Sequence, residues 1–117
     1  MPPPPRKTLS LSVLNILLAL ADGAKHGYAI KQDVEERSEG TIRLGPGTLY
    51  EAIQRLEDDG LIAEASPDEP AANGQEAQRR FYRLTERGWT VLRRELKQLS
   101  DVVDRARANP RLRKGLA

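Results

Sequence analysis

The stretch LGPGTLYEAIQRLEDDGLIAEA, residues 44–65, holds a turn, a helix and the start of a sheet. Proline at position 46 suits the first position of a helix, where its fixed φ fits and its missing N–H costs nothing. Gly45 and Gly47 on either side leave the amides at that helix end open to close approach. Leu49, Tyr50, Ile53 and Leu56 recur at spacings of 1, 3 and 3, the inward side of a helix that runs to Asp59 and stops at Gly60. Leu61 to Ala65 then read as a short strand.

Upstream, a helix is expected from His26 to Glu39, with Tyr28, Ile30 and Val34 apolar and Gly40 as its stop. Before it, Leu9 to Ala21 reads as a helix with Thr8 or Ser10 as N-cap, closed by Asp22-Gly23. Its apolar residues (Val13, Leu14, Ile16, Leu17, Leu18, Leu20) fall on nearly every side. Something must cover it, and a second copy of so short a chain is one way to do so. Residues 1–7 hold four prolines, Arg6 and Lys7, and are expected as a disordered arm.

Downstream, Ser66 to Gln78 lacks periodicity and reads as a long hairpin tip, and Arg79 to Leu84 as the returning strand. Thr85 is an N-cap candidate for a last helix reaching Ala108, before Asn109-Pro110 and a basic tail over 109–117. Trp89, Leu92, Leu96, Leu99, Val103 and Ala106 lie 3, 4, 3, 4 and 3 residues apart, a heptad seam. Twenty-four helical residues make a rod of about 36 Å, as long as the whole of a compact chain of this size, about 35 Å across. The seam therefore predicts a homodimer, built from Leu14, Leu17 and Leu18 of the first helix and those six residues of the last. The alternative is that the seam packs only on the first helix of its own chain.

Three helices followed by a two-stranded hairpin make a winged helix-turn-helix: a mainly α fold with a small β-hairpin, a domain over residues 8–84 and a dimerisation helix over 85–108. In such a motif the second helix of the pair enters the DNA major groove with its N-terminal residues at the base edges. The outward positions there are Gly47, Thr48, Glu51, Ala52 and Arg55. Open amides at Gly47 and Thr48 suit a phosphate, and Arg55 suits a phosphate or a guanine edge. Glu51 opposes phosphates and fits only a cytosine amino group or an outward turn. Arg79, Arg80 and Arg83 are the wing cations, diluted at the tip by Asp68, Glu69 and Glu76. Lys25 and Lys31 are candidate backbone contacts and equally plausible solvated cations. The partner this implies is double-stranded DNA, as an inverted repeat for a two-fold dimer. A winged-helix module that docks on a protein is the alternative, favoured by Glu51 and the mild overall charge.

The formal charge of +2 on 117 residues conceals an asymmetry: residues 1–78 sum to −6 and residues 79–117 to +8. Clustered cations suit a polyanion or an acidic partner. No cysteine and one histidine, His26, leave no thiol chemistry, no metal cluster and no nucleophile–base pair, so neither an enzyme nor a cofactor is expected. His26, at a helix start, is expected to be held by local packing, the alternative being a place near DNA phosphates. Arg6 and Lys7 before Leu9–Ala21 imitate a secretion signal, but Ser10, Ser12 and Asn15 interrupt the run and it is too short to span a bilayer. A cytoplasmic protein with no membrane partner is the expectation.

The segments His26-Gly27-Tyr28-Ala29-Ile30, Pro46-Gly47-Thr48-Leu49-Tyr50 with Arg55-Leu56-Glu57 and Gly60-Leu61-Ile62, and Arg80-Phe81-Tyr82-Arg83-Leu84-Thr85 with Gly88 together closely resemble the PadR family of transcriptional regulators. The resemblance covers about residues 9 to 100. It implies a dimeric winged-helix regulator, usually a repressor that releases its operator when an effector binds, of the subgroup with a single C-terminal dimerisation helix. It makes Tyr50 and Tyr82 structural. Some members stack a flat aromatic effector on a tryptophan, a part open to Trp89, whose other reading is an interface anchor. Many members carry proline where Glu51 stands here.

Overall fold

The computed structural model describes residues 9–65 and 80–116. Ser10 starts the first helix, α1 (Leu11–Ala21), its hydroxyl accepting from the Val13 N–H; Asp22 caps the far end. The chain then turns at Gly23, whose φ of +142° an L side chain rarely adopts, into a two-residue strand, β1 (Lys25–His26). The helix-turn-helix pair follows as α2 (Gly27–Arg37) and α3 (Pro46–Asp58), and then β2 (Ile62–Ala65) and β3 (Phe81–Leu84). Helix α4 (Glu86–Arg107) is capped by the Thr85 hydroxyl, which accepts from the Gly88 N–H. A single turn, α5 (Pro110–Arg113), and a 3₁₀ turn over Lys114–Leu116 end the described chain.

The strands differ from the expected hairpin. They form a three-stranded antiparallel sheet in the order β1-β3-β2, with Lys25 opposite Tyr82 and Ile62 opposite Leu84. Two residues cannot show an alternating pattern, so β1 exists only through its pairing with β3. Leu61 stays outside the ladder because its N–H closes the end of α3 on Leu56 O (2.9 Å). Helix α2 ends at Arg37 rather than Glu39: the Ser38 hydroxyl accepts from the Ile42 N–H (3.0 Å), and Glu39 and Gly40 turn at φ +52° and +81°.

The core gathers Ile16 and Leu17 of α1, Ile30 and Val34 of α2, Ile53 of α3 and Ile62 of β2, all fully buried. Three residues expected on the dimer seam belong to this core instead. Leu14, Leu17 and Leu92 are buried within one subunit, because α1 is the central rod on which α2, β3 and the first half of α4 pack. Leu18, Trp89, Val103 and Ala106 are half-buried. All four buried residues of α4 (Gly88, Val91, Leu92 and Glu95) precede Leu96, so its second half projects from the body. The radius of gyration, 16.7 Å, exceeds the value near 13 Å for a compact chain of this length.

Two substitutions test this packing. An unobstructed helix gains from Gly→Ala, but a Cβ on Gly88 would lie 2.0 Å from the Leu61 carbonyl oxygen; Gly88→Ala is expected to lower unfolding free energy by about 2 kcal/mol or more, read from urea midpoints. The Tyr82 hydroxyl is held above its ordinary pKa by burial and secondarily by Glu57. Above about pH 10 an unfolded tyrosine loses a proton that folded Tyr82 keeps, so stability falls as pH rises through that range. Tyr82→Phe should flatten the decline between about pH 9 and 11 in the same measurement.

Candidate nucleic-acid interface

Helix α3 buries Leu49, Ile53 and Leu56 and exposes Gly47, Thr48, Tyr50, Glu51, Gln54, Arg55 and Asp58. Gly45, its N-cap residue, makes no side-chain capping bond, and space around Gly47 is open. The first amides of α3 thus stand free at the positive end of a helix dipole. Helical spacing puts Glu51 and Asp58 near the middle of the outward face, with Gln54 beside them. Thr48, Glu51 and Arg55 also flank a half-open groove of about 190 Å³ whose other wall is the start of α1, at Ser10, Ser12, Val13 and Ile16.

The start of α2 is drawn alongside the start of α3. A Cβ on Gly27 would lie 3.1 Å from the Tyr50 hydroxyl, so glycine there lets the tyrosine ring lie against the first turn of α2. Tyr50, expected on the inward side of α3, is instead 55 % exposed because it packs only on that turn, and Tyr28, expected on the apolar side of α2, is 56 % exposed. His26 Nδ1 accepts from the Ala29 N–H (3.3 Å), and its ring meets Phe81 edge-on at 5.5 Å. The histidine is therefore a cap and a packing element, as its position in the sequence suggested.

The cations divide into free and engaged. Lys25 Nζ donates to the Ala19 carbonyl and so closes the C-terminal end of α1. Lys31 pairs with Glu35 at 3.1 Å, and Arg80 lies 3.8 Å from Glu64 across the sheet. Arg37 bridges Asp33 and Asp22; the hydrogen bond to Asp33 is the main reason its pKa is raised. Arg55 and Arg83 are exposed, and Arg83 forms one long bond, 3.4 Å, to the Leu84 carbonyl. Arg79 lies outside the described residues, with Asp68, Glu69 and Glu76. Two exposed residues escaped the sequence reading. Arg43 sits in the turn of the helix-turn-helix, where no periodicity marks it, and Gln54, bonded to Asp58 at 3.1 Å, is uncharged.

This architecture agrees with that of similar proteins. The profile of the transcriptional regulator PadR-like family matches residues 16–94. The chain belongs to the PadR-like family. It is 33% identical over 89 residues to the transcriptional regulator Rv3488 of Mycobacterium tuberculosis, covering 76% of each chain. It is 40% identical over 80 residues to an uncharacterized protein of a Streptomyces fradiae transposon, covering 68% of this chain and a fifth (20%) of that one. A crystal structure of a PadR family transcription regulator from Clostridium difficile superposes with a TM-score of 0.66 at 24% identity, over 85% of this chain and 96% of that one. The fold of this PadR-like protein is accordingly that of a winged-helix, DNA-binding transcriptional regulator, a family that is not enzymatic. Among the described residues no helix is long and apolar enough to cross a membrane.

The capping role of Lys25 is separable from any contact to DNA. Lys25→Met leaves the C-terminal carbonyls of α1 without their charged donor and should cost about 1–3 kcal/mol of stability in chemical denaturation with no duplex present. An unchanged midpoint would return Lys25 to the candidate DNA contacts.

Proposed function

We propose that this PadR-like regulator acts in the cytoplasm as a homodimeric, sequence-specific repressor of an inverted-repeat operator, released by a small-molecule effector. The observation that carries the dimer is the second half of α4. Leu96 (37 %), Leu99 (38 %) and Val102 (61 %) are exposed there, on a face continuous with the one that Val91 and Leu92 bury against the body. A solvated helix does not keep such a stripe without a partner, and two copies laid side by side cover both. The interface then draws on Leu18, Trp89, Leu96, Leu99, Val103 and Ala106, with Val102 added, while Leu14, Leu17 and Leu92 support it from within each subunit.

A two-fold axis through the α4 pair presents two α3 helices to half-sites about one helical turn, or a multiple of it, apart. The amides of Gly47 and Thr48 hold a phosphate, Arg55 and Gln54 read base edges, Glu51 accepts from a cytosine amino group, and Arg80, Arg83 and Arg43 follow the backbone. Lys25 and Lys31 play at most a minor part, being engaged within the subunit. Trp89, half-buried at the base of α4, offers the stacking wall for a flat aromatic effector. The carboxylates of Glu51 and Asp58 on the outward face favour the other reading, docking on a protein.

The test combines footprinting with two variants. Leu99→Asp/Val102→Asp should give monomers by sedimentation and lose the paired footprint. Arg55→Ala should weaken operator binding by about 1–3 kcal/mol and relax base preference if Arg55 meets a base edge bidentately; an equal loss on every duplex assigns it to phosphate. Equal retention of specific and random duplex, together with tight binding to a protein partner, would replace the repressor with the docking module.

A further inference from the structure

The basic end of the chain is used neither by α3 nor by the sheet. We propose that the exposed cations of residues 105–114, folded back at the far end of α4, form a second and sequence-blind contact surface for duplex DNA phosphates. The proposal rests on the DNA-binding reading above.

Residues 105–114 contain Arg105, Arg107, Arg111, Arg113 and Lys114 and no acidic residue. All five are exposed. They are held together by structure. Asn109 caps α5 with its side chain on the Arg111 N–H (2.9 Å), its carbonyl accepts from the Arg113 N–H (3.0 Å), and the Arg107 guanidinium donates to Leu116 O (3.2 Å). Arg107 thus fastens the fold-back. Arg105, Arg111, Arg113 and Lys114 form no ion pair within the described residues.

The reading face presents the opposite balance. Residues 9–65 carry five Lys/Arg against ten Asp/Glu, and three of the five, Lys25, Lys31 and Arg37, already have partners inside the subunit. Non-specific affinity for DNA is set by the number of phosphates neutralised, and this face offers Arg43, Arg55, Arg80 and Arg83 beside a surplus of carboxylates. A second and denser group of exposed guanidinium groups stands at the other end of α4, which spans about 33 Å. Arginine predominates there, and its planar fork binds phosphate bidentately. A duplex gripped by α3 raises the phosphate concentration around any cation of the same molecule that can reach it.

The test neutralises three of these cations in the full chain, Arg111→Gln/Arg113→Gln/Lys114→Gln, and keeps Arg107 so that the fold-back stays fastened. Circular dichroism and sedimentation establish that fold and assembly are retained. Binding to operator and to random duplex is then measured from about 50 to 200 mM salt. The salt slope should become shallower by about 0.9 for each phosphate that is no longer neutralised, the affinity should fall by the same factor on both duplexes, and the operator footprint should be unchanged. Lysine at the same three positions should restore the slope. Flanking phosphates of the same duplex are the source if the loss appears only on a duplex extended by about one helical turn at each end; a second duplex is the source if capture of another labelled duplex is lost. An unchanged slope with an intact footprint overturns the proposal, as does a weakened dimer with an unchanged slope, which would place these cations against the partner subunit. A wild-type chain that binds no duplex removes the reading beneath it.

Discussion

The junction at Leu61 fixes the geometry of the whole molecule. Its N–H closes α3 on Leu56 O at 2.9 Å, and its carbonyl accepts from the Thr85 N–H at 3.1 Å. The Thr85 hydroxyl donates to Gly60 O at 2.6 Å and caps α4 through Gly88, whose lack of a side chain lets that helix come down on the Leu61 carbonyl. Arg87 adds a bond to the Asp59 carbonyl at 3.0 Å. The end of α3, the start of β2, the end of β3 and the start of α4 therefore meet in one network of backbone groups that are costly to leave unpaired. The direction of the projecting helix relative to the reading helix follows from that network, not from loop length.

Most of this was legible in the chain because local signals and tertiary packing agree. Ser10, Thr85, Pro46, Gly23 and Gly60 each stand where a cap or turn demands them, and Leu49, Ile53 and Leu56 of α3 face the core as their spacing requires, whereas Tyr50 lies at the edge of that face and is exposed. The third strand was not legible. Lys25 and His26 carry no strand signature, and their pairing with Tyr82 and Phe81 is decided by the sheet. The seam was misread in part for a related reason. A heptad pattern says that Leu92 is buried but not by what, and in a small domain the nearest cover is α1 of the same subunit. Val102, outside the strict heptad, escaped notice although it is among the most exposed apolar residues of α4.

The candidate interface shows the same division. Gly47, Thr48, Glu51 and Arg55 could be placed outward from helical spacing alone, whereas Ala52, at the edge of that face, is half-buried against the core. The state of a cation could not. Whether Lys25 or Lys31 is free depends on a carbonyl at the end of another helix and on a carboxylate one turn away, and an extended reading of the chain weighs every lysine alike. With Lys25 and Lys31 engaged internally, the exposed polar groups of this face are the first amides of α3, Thr48 and Gln54, the cations Arg43, Arg55 and Arg83, and the carboxylates Glu51 and Asp58. For the proposed function, base discrimination falls to the hydrogen bonds of Arg55, Gln54 and Glu51, while Coulomb attraction to phosphates is long-ranged and indifferent to sequence.

For a dimer of the proposed kind, the Leu61 junction also supplies a route for regulation. If α4 is joined rigidly to α3, a change in how two α4 helices cross must move both reading helices. For a pivot at the outer end of α4, about 33 Å away, a tilt of about 5° displaces the end joined to α3 by about 3 Å. Hydrogen bonds to base edges do not survive such a shift, since a donor and acceptor at about 3.6 Å are already out of range. A ligand that wedges against Trp89, one residue beyond Gly88, needs only to favour one crossing of the pair over another; the displacement at the DNA follows from the lever. Gly88 keeps that joint closed, since a Cβ there would lie 2.0 Å from the Leu61 carbonyl oxygen.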